Sequence, residues 1–319
     1  PDGPDGRILA FVEWRRHAES KKLEPNVVLI SATGGKELLA FNARGDLDKK
    51  SPPGLGVLAF SPDGKHLVAA GSAGIVGGRH GLPGGAIKIW DAKTGKEVRQ
   101  LGEVKEWDKN RIDKFIPPDA KVIPGVSTSA GVSSVTFSAD GKLVVAGTYG
   151  ASSELPEAGE VWIWNAADGK LVRMFTVADK VKAAGPDYGV SAVALSPDNK
   201  RVAAAVAIVP AGGPGRAEHP TEVRVWGLAS GDVVHTLRGH KGWVMQVAFS
   251  PDGKWLASAG RDKVVRLWNA RTGKEVIAFP FDTPQINALV FSPDGQRLAA
   301  GGGDGNKSGE VKVWTVQPE

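Results

Sequence analysis

The chain has 319 residues, 41% of them apolar and 24% charged, which is ordinary globular usage and enough to bury a core. It contains no cysteine, which excludes disulfides, thiolate metal ligands and cysteine nucleophiles, and no apolar run reaches the roughly 18–20 residues of a spanning helix. A net charge of +5 is spread without any run of five or more basic residues, which points to a solvated mixed surface rather than a nucleic-acid footprint. The absence of cysteine leaves the compartment open, with the cytoplasm favoured.

Read from the start, one short pattern returns. Pro4-Asp5-Gly6-Arg7 is followed by an apolar run, an insertion at 15–25, a second apolar run at 27–31 and a long connection at 42–56. Ser61-Pro62-Asp63-Gly64-Lys65 opens the next copy, which carries an insertion at 72–85 and an apolar run ending in Trp90. After the longest insertion, at 102–131, comes Ser138-Ala139-Asp140-Gly141-Lys142, then an insertion at 149–159 and a run ending in Trp164. A connection at 178–189 leads to Ser196-Pro197-Asp198-Asn199-Lys200, an insertion at 207–221 and Trp226. Ser250-Pro251-Asp252-Gly253-Lys254 with Trp268, and Ser292-Pro293-Asp294-Gly295-Gln296 with Trp314, complete six copies.

The copy at 243–281 is the least interrupted. Residues 244–250 alternate apolar and polar, as a half-buried strand does. Pro251 presets the first corner of a turn and Gly253 supplies a positive φ. Strands are predicted at 255–259, at 264–268, where β-branched residues suit a pleated surface, and at 275–279 after a turn at 270–274. Four short antiparallel strands per unit, at a period of about 40–45 residues, describe a β-propeller blade. The predicted fold is therefore all-β: a single propeller domain over 1–319 with six visible blades.

Trp90-Asp91, Trp164-Asn165 and Trp268-Asn269 close the third strands, and Gly239-His240 precedes the best copy. Together these resemble the WD-repeat family, and the resemblance covers nearly the whole chain. It departs from the family pattern in that only one copy has the Gly-His pair and only Trp90 is followed by Asp. Near-consensus turns with such insertions are similar to bacterial WD-repeat modules fused to signalling domains. The resemblance implies that His240, Ser258, Asp262 and Trp268 form a buried structural hydrogen-bond network rather than a hydrolase triad; no Gly-x-Ser-x-Gly elbow accompanies the serine. It also implies a ring of seven blades if upstream strands belong to it, with a complete ring of six as the alternative. The first unit lacks an inner strand and the last an outer one, and open strand edges invite association with another chain.

In an up-and-down blade successive connections alternate between two ends. The Pro-Asp-Gly and Thr-Gly-Lys turns at one end stay short, and nearly every insertion falls at the other. Loops on a rigid scaffold carry binding residues, and insertions on one face of a repeat protein mark its binding face; neutral drift is the alternative, since long loops cost little. The expected function is a non-catalytic scaffold that binds a protein or peptide through the loop-rich end, as a module of a larger signalling or regulatory protein. Candidate contacts are Trp107, Arg111 and Phe115 in the longest insertion, with Arg15, Arg16, Arg79, Arg216 and Arg261, because aromatic and arginine side chains dominate interface hot spots. The competing reading is an enzyme or small-ligand site in the central channel. No catalytic residue, metal site or cofactor is expected, since the histidines have no ligand-like spacing and the glycine clusters lack a phosphate-binding context. No membrane partner is expected, and nucleic acid is disfavoured.

Overall fold

The computed structural model describes residues 6–16, 23–42, 54–72, 87–101, 131–149, 159–177, 187–209, 221–303 and 309–316. They form 22 strands and no helix. All strand pairs are antiparallel neighbours in sequence, apart from two single bridges, Ser72 to Gly131 and Tyr149 to Gly189. Dividing the largest sheet at those bridges leaves six units. Unit one is β1(Ile8–Arg16), β2(Leu23–Ser31) and β3(Glu37–Asn42). Unit two is β4(Gly54–Phe60), β5(His66–Ser72), β6(Ile87–Asp91) and β7(Glu97–Leu101). Unit three is β8(Gly131–Phe137), β9(Leu143–Tyr149), β10(Glu160–Asn165) and β11(Leu171–Thr176). Unit four is β12(Asp187–Leu195), β13(Arg201–Val209), β14(Thr221–Gly227) and β15(Val233–Arg238). Unit five is β16(Val244–Phe249), β17(Trp255–Gly260), β18(Val264–Asn269) and β19(Glu275–Pro280). Unit six is β20(Ile286–Phe291), β21(Arg297–Gly303) and β22(Gly309–Thr315). The first strands β4, β8, β12, β16 and β20 lie side by side in that order, each unit packing face to face on the next. This is the blade arrangement of a β-propeller.

Each Ser-x-Asp-Gly turn is closed by its own side chains. In unit five the Ser250 hydroxyl donates to Asp252 at 2.6 Å and accepts from the Trp255 N–H at 2.9 Å, while Asp252 accepts from the Lys254 N–H at 3.0 Å. The same three bonds recur at Ser61, Ser138, Ser196 and Ser292. Four of the five turns place glycine at the left-handed corner, as at Gly253 with φ 71°, and Asn199 occupies it in the fourth at φ 55°.

The core is a series of inter-blade layers. Between units five and six, Ala257, Ala259, Val265 and Leu267 bury against Ile286, Leu298 and Ala300. Between units one and two, Ala10, Val27 and Leu29 bury against Leu67, Ala69 and Trp90. Alternation puts every blade strand between two neighbours, so both faces are apolar. The outward face of unit six is different. Val311 and Val313, which hold the register positions of Val265 and Leu267, are 75% and 59% exposed, against 0% and 3%. Val290 on β20 shares that face and is exposed.

The sequence did not disclose two features. Every described inner strand carries a β-bulge at one register position, at Gly56, Ser133, Ser191, Met245 and Asn287. Bulges re-aim a side chain, and here they stitch neighbours together. The Ser133 hydroxyl donates to the Val190 carbonyl of the next blade, the Ser191 hydroxyl to Val244 at 2.5 Å, and the Gln246 amide to Asn287 at 3.0 Å. Second, part of what reads as inserted loop is strand. Arg15 and Arg16 belong to β1, and residues 23–25 to β2; Tyr149 ends β9, and β13 runs on to Val209. Backbone pairing continues past the turn residues because the facing segments stay in register, Trp14 opposite Pro25 and Arg16 opposite Leu23.

Candidate functional site

The strand order sorts the connections by end. The turns after β16 and β18 lie at the trimmed end; the β17–β18 turn at 261–263 and the connection from β15 into β16 at 239–243 lie at the other. That loop-bearing end is best defined on unit five. His240 sits in the entering connection, Ser258 in the middle of β17, Asp262 in the turn beyond it and Trp268 near the end of β18. The Trp268 indole N–H donates to Ser258 Oγ at 2.8 Å, Ser258 Oγ meets His240 Nε2 at 2.7 Å, and His240 Nδ1 meets Asp262 Oδ2 at 2.8 Å. The carboxylate can only accept, so Nδ1 carries a hydrogen and Nε2 of a neutral imidazole accepts the Ser258 hydroxyl proton. Burial pushes the Asp262 carboxyl up, but the His240 hydrogen bond and the Lys241 backbone N–H outweigh it and hold the carboxyl below its usual range. Ser258 has no exposed surface, so its hydroxyl meets no substrate. The chain of bonds ties the entering connection to the β17–β18 turn.

Other units use another device. Glu160, Glu222 and Glu310 stand at the first or second position of β10, β14 and β22, each four residues before a tryptophan. Each pairs with the side chain two positions on: Glu160 accepts from the Trp162 indole at 2.9 Å, Glu222 pairs with Arg224, and Glu310 with Lys312 at 2.9 Å. Arg224 also donates to the Val177 carbonyl of unit three at 2.6 Å, and Glu310 accepts from the backbone of Asp282 and Thr283. A buried charge needs a partner and hydrogen bonds, and these supply both while fastening one blade to its neighbour. Unit five has Val264 where units three, four and six have glutamate.

Three of the eight partner-binding candidates lie within the described residues. Arg15 is already engaged, by Glu37 at 2.6 Å and Glu13 at 2.7 Å; the Glu37 bond is the larger influence raising its pKa. Arg16 is exposed at the tip of β1, and Trp14, on the same strand face, is 45% exposed. Arg261 is exposed on the β17–β18 turn, its guanidinium 5.1 Å from the ring of Trp243. Trp107, Arg111, Phe115, Arg79 and Arg216 lie outside the described residues, as do His17, His80 and His219. Sequence reasoning missed Trp14 and Trp243, and the exposed cations Arg238, Lys241 and Lys263 that flank Arg261. Their signal was present: four cations fall within three residues of His240 or Asp262. Among the described residues, no three His, Asp or Glu side chains come together as a metal-binding group.

A row of antiparallel blades, five of them with a tryptophan closing the third strand, defines the class, a repeat propeller. The family model for the WD domain, G-beta repeat, matches residues 121–156, 231–269 and 273–315. These three stretches of the chain match the WD repeat. It is 34% identical over 77 residues to the nuclear distribution protein PAC1 of Coccidioides posadasii, covering 21% of this chain and 16% of that protein. It is 52% identical over 54 residues to centriole proteome protein 16 of Chlamydomonas reinhardtii, 16% of this chain and 2% of that one. It is 44% identical over 50 residues to the human WD repeat and SOCS box-containing protein 1, 15% and 12% respectively. The chain thus spans a small fraction of the length of each of these relatives.

Proposed function

We propose that this propeller is a non-catalytic interaction scaffold that binds a protein or peptide partner through its loop-bearing end, as a module of a larger signalling or regulatory protein. The observation that carries this reading is the asymmetry of the two ends. At one, every described turn is a short hydrogen-bonded loop; at the other lie the insertions, together with the exposed Trp14, Arg16 and Arg261. A rigid disc holds such side chains in fixed relation, which reduces the ordering cost of binding. WD repeats generally mediate protein–protein interaction, which agrees with a scaffold.

The test is affinity capture with the intact chain, with Trp14→Ala/Arg16→Glu, and with residues 105–124 removed. The expected result is loss of partners from at least one variant, with an unchanged thermal transition. Retention of every partner by both, alongside loss on reversing the trimmed-end lysines Lys65 and Lys142, would move the binding surface to the other end.

A further inference from the structure

The loop-bearing end of unit five is electrostatically one-sided. Arg238, Lys241, Arg261 and Lys263 are all exposed there. They surround a single connection. The Lys241 N–H donates to Asp262 at 3.1 Å, the Arg261 N–H donates to the Trp243 carbonyl at 2.8 Å, and the Gly242 carbonyl accepts from Thr221 at 2.9 Å. Two carboxylates inside the cluster are spent and covered, and Asp282, exposed beside Lys263, is held by Lys312. Asp262 and Glu222 each keep only 5% of their side-chain surface; the first is held by His240, the second by Arg224 and Arg238. Their charges are enclosed, while Lys241, Arg261 and Lys263 are exposed.

Two local features shape the patch. The Arg261 guanidinium lies against Trp243. A stacked guanidinium is held in orientation with its N–H groups still free around its edge, suited to planar oxyanions. Lys263 stands in the left-handed region at φ 61°, a conformation uncommon for a side-chain-bearing residue. Its carbonyl accepts from the Phe281 N–H at 2.8 Å, which holds the turn in place.

The patch is also bounded. On the unit-six side, Asp282 and Glu310 share Lys312. A short acidic segment matches the extent of a patch confined to the connections of one unit.

We propose that this end of unit five binds an acidic peptide segment of the partner, with carboxylate side chains received by Lys241, Arg261 and Lys263. This rests on the scaffold reading above and names the chemistry its partner must carry. Rim charges act mainly on the association rate and its salt dependence, so binding weakens as salt rises.

The experiment is a fluorescence-anisotropy titration of the 319-residue chain with a short labelled glutamate-rich peptide and with its glutamine counterpart. The expected result is binding of the acidic peptide at least about tenfold tighter than the neutral one at low salt. Lys241→Glu/Lys263→Glu, with Lys241→Gln/Lys263→Gln as the milder pair, removes that preference, and Lys65→Glu/Lys142→Glu at the trimmed end does not. A phosphoserine version that binds more tightly still also supports the assignment. Equal binding of the two peptides, equal loss from the trimmed-end pair, or an oligouridylate bound as tightly as the acidic peptide would each overturn it. Partner capture lost in Trp14→Ala/Arg16→Glu but unchanged in Lys241→Gln/Lys263→Gln would sink the acidic-peptide assignment and leave the scaffold reading standing.

Discussion

Asp140 and Asn199 meet where the trimmed-end turns of units three and four adjoin. At other junctions a turn proline packs on the next turn's glycine: Pro62 on Gly141, Pro197 on Gly253 and Pro251 on Gly295. Between units three and four the matching positions are Ala139 and Asn199. The lost Pro–Gly contact is replaced by a hydrogen bond from Asn199 to the Asp140 carboxylate. Burial pushes that carboxyl up, but Ser138, the Lys142 backbone, Asn199 and Lys142 together lower it to about 2. A carboxyl that binds its proton more weakly when folded contributes stability at pH values above the unfolded value near 4. That contribution is lost as pH falls from there through about 2. Asp63, Asp198, Asp252 and Asp294 are lowered too, so acid loosens all five turns together. Melting temperature against pH is expected to fall over this window, less steeply in Asp140→Asn. In Asn199→Gly, carboxyl NMR is expected to place the Asp140 titration above its native position. Ser258→Ala strands both the Trp268 N–H and His240 in a buried site, at an expected cost of about 1–3 kcal/mol, read by urea denaturation. Unit two offers the converse. Ala69 stands where Ser258 does, opposite Lys88 as Ser258 is opposite Arg266, and the buried Trp90 Nε1 has no partner. Ala69→Ser is expected to raise stability, and an unchanged midpoint would show that the hydroxyl misses the indole.

At the scale of the element, equal residues in equal register have different energetic weight. Val265 and Val311 open the inward stretch of their third strands, but only Val265 has a blade over it. Val265→Ala is expected to cost about 2 kcal/mol, from lost burial and the cavity left behind. Val311→Ala is expected to stay within about 0.5 kcal/mol, as surface substitutions do. Matched costs in chemical denaturation would mean that Val311 is covered in solution. Strand identity was legible because apolar alternation, Pro-Asp-Gly turns and β-branched runs all agree over 244–280. The bulges at Ser133, Ser191 and Asn287 were not legible. A bulge is a mismatch between two strands, and neither strand alone encodes its partner's spacing. The strand tips at Arg15 and Arg16 were read as loop because their charges break the apolar pattern, although cross-strand pairing needs only the backbone.

For the whole molecule, the proposed scaffold function rests on the division into a trimmed and an elaborated end. It follows from connection lengths, which can be counted without coordinates. What occupies that end was only partly legible. Arg261 could be named as a candidate, but its stacking on Trp243, the enclosure of Asp262 and Glu222, and the resulting cationic surplus depend on residues from two blades. The same holds for Arg15, whose apparent availability disappears because Glu37, on a strand two places away, reaches it.

The repeat, the all-β class, the blade boundaries and the short turns were determined by sequence alone, because each rests on local contacts within a few residues or on the period of two that a pleated strand imposes. Which blade face is buried, which charges are neutralised by a neighbour and which side chains remain free for a partner were decided by the tertiary structure, because burial and charge pairing arise between segments that the chain separates and only the ring brings together.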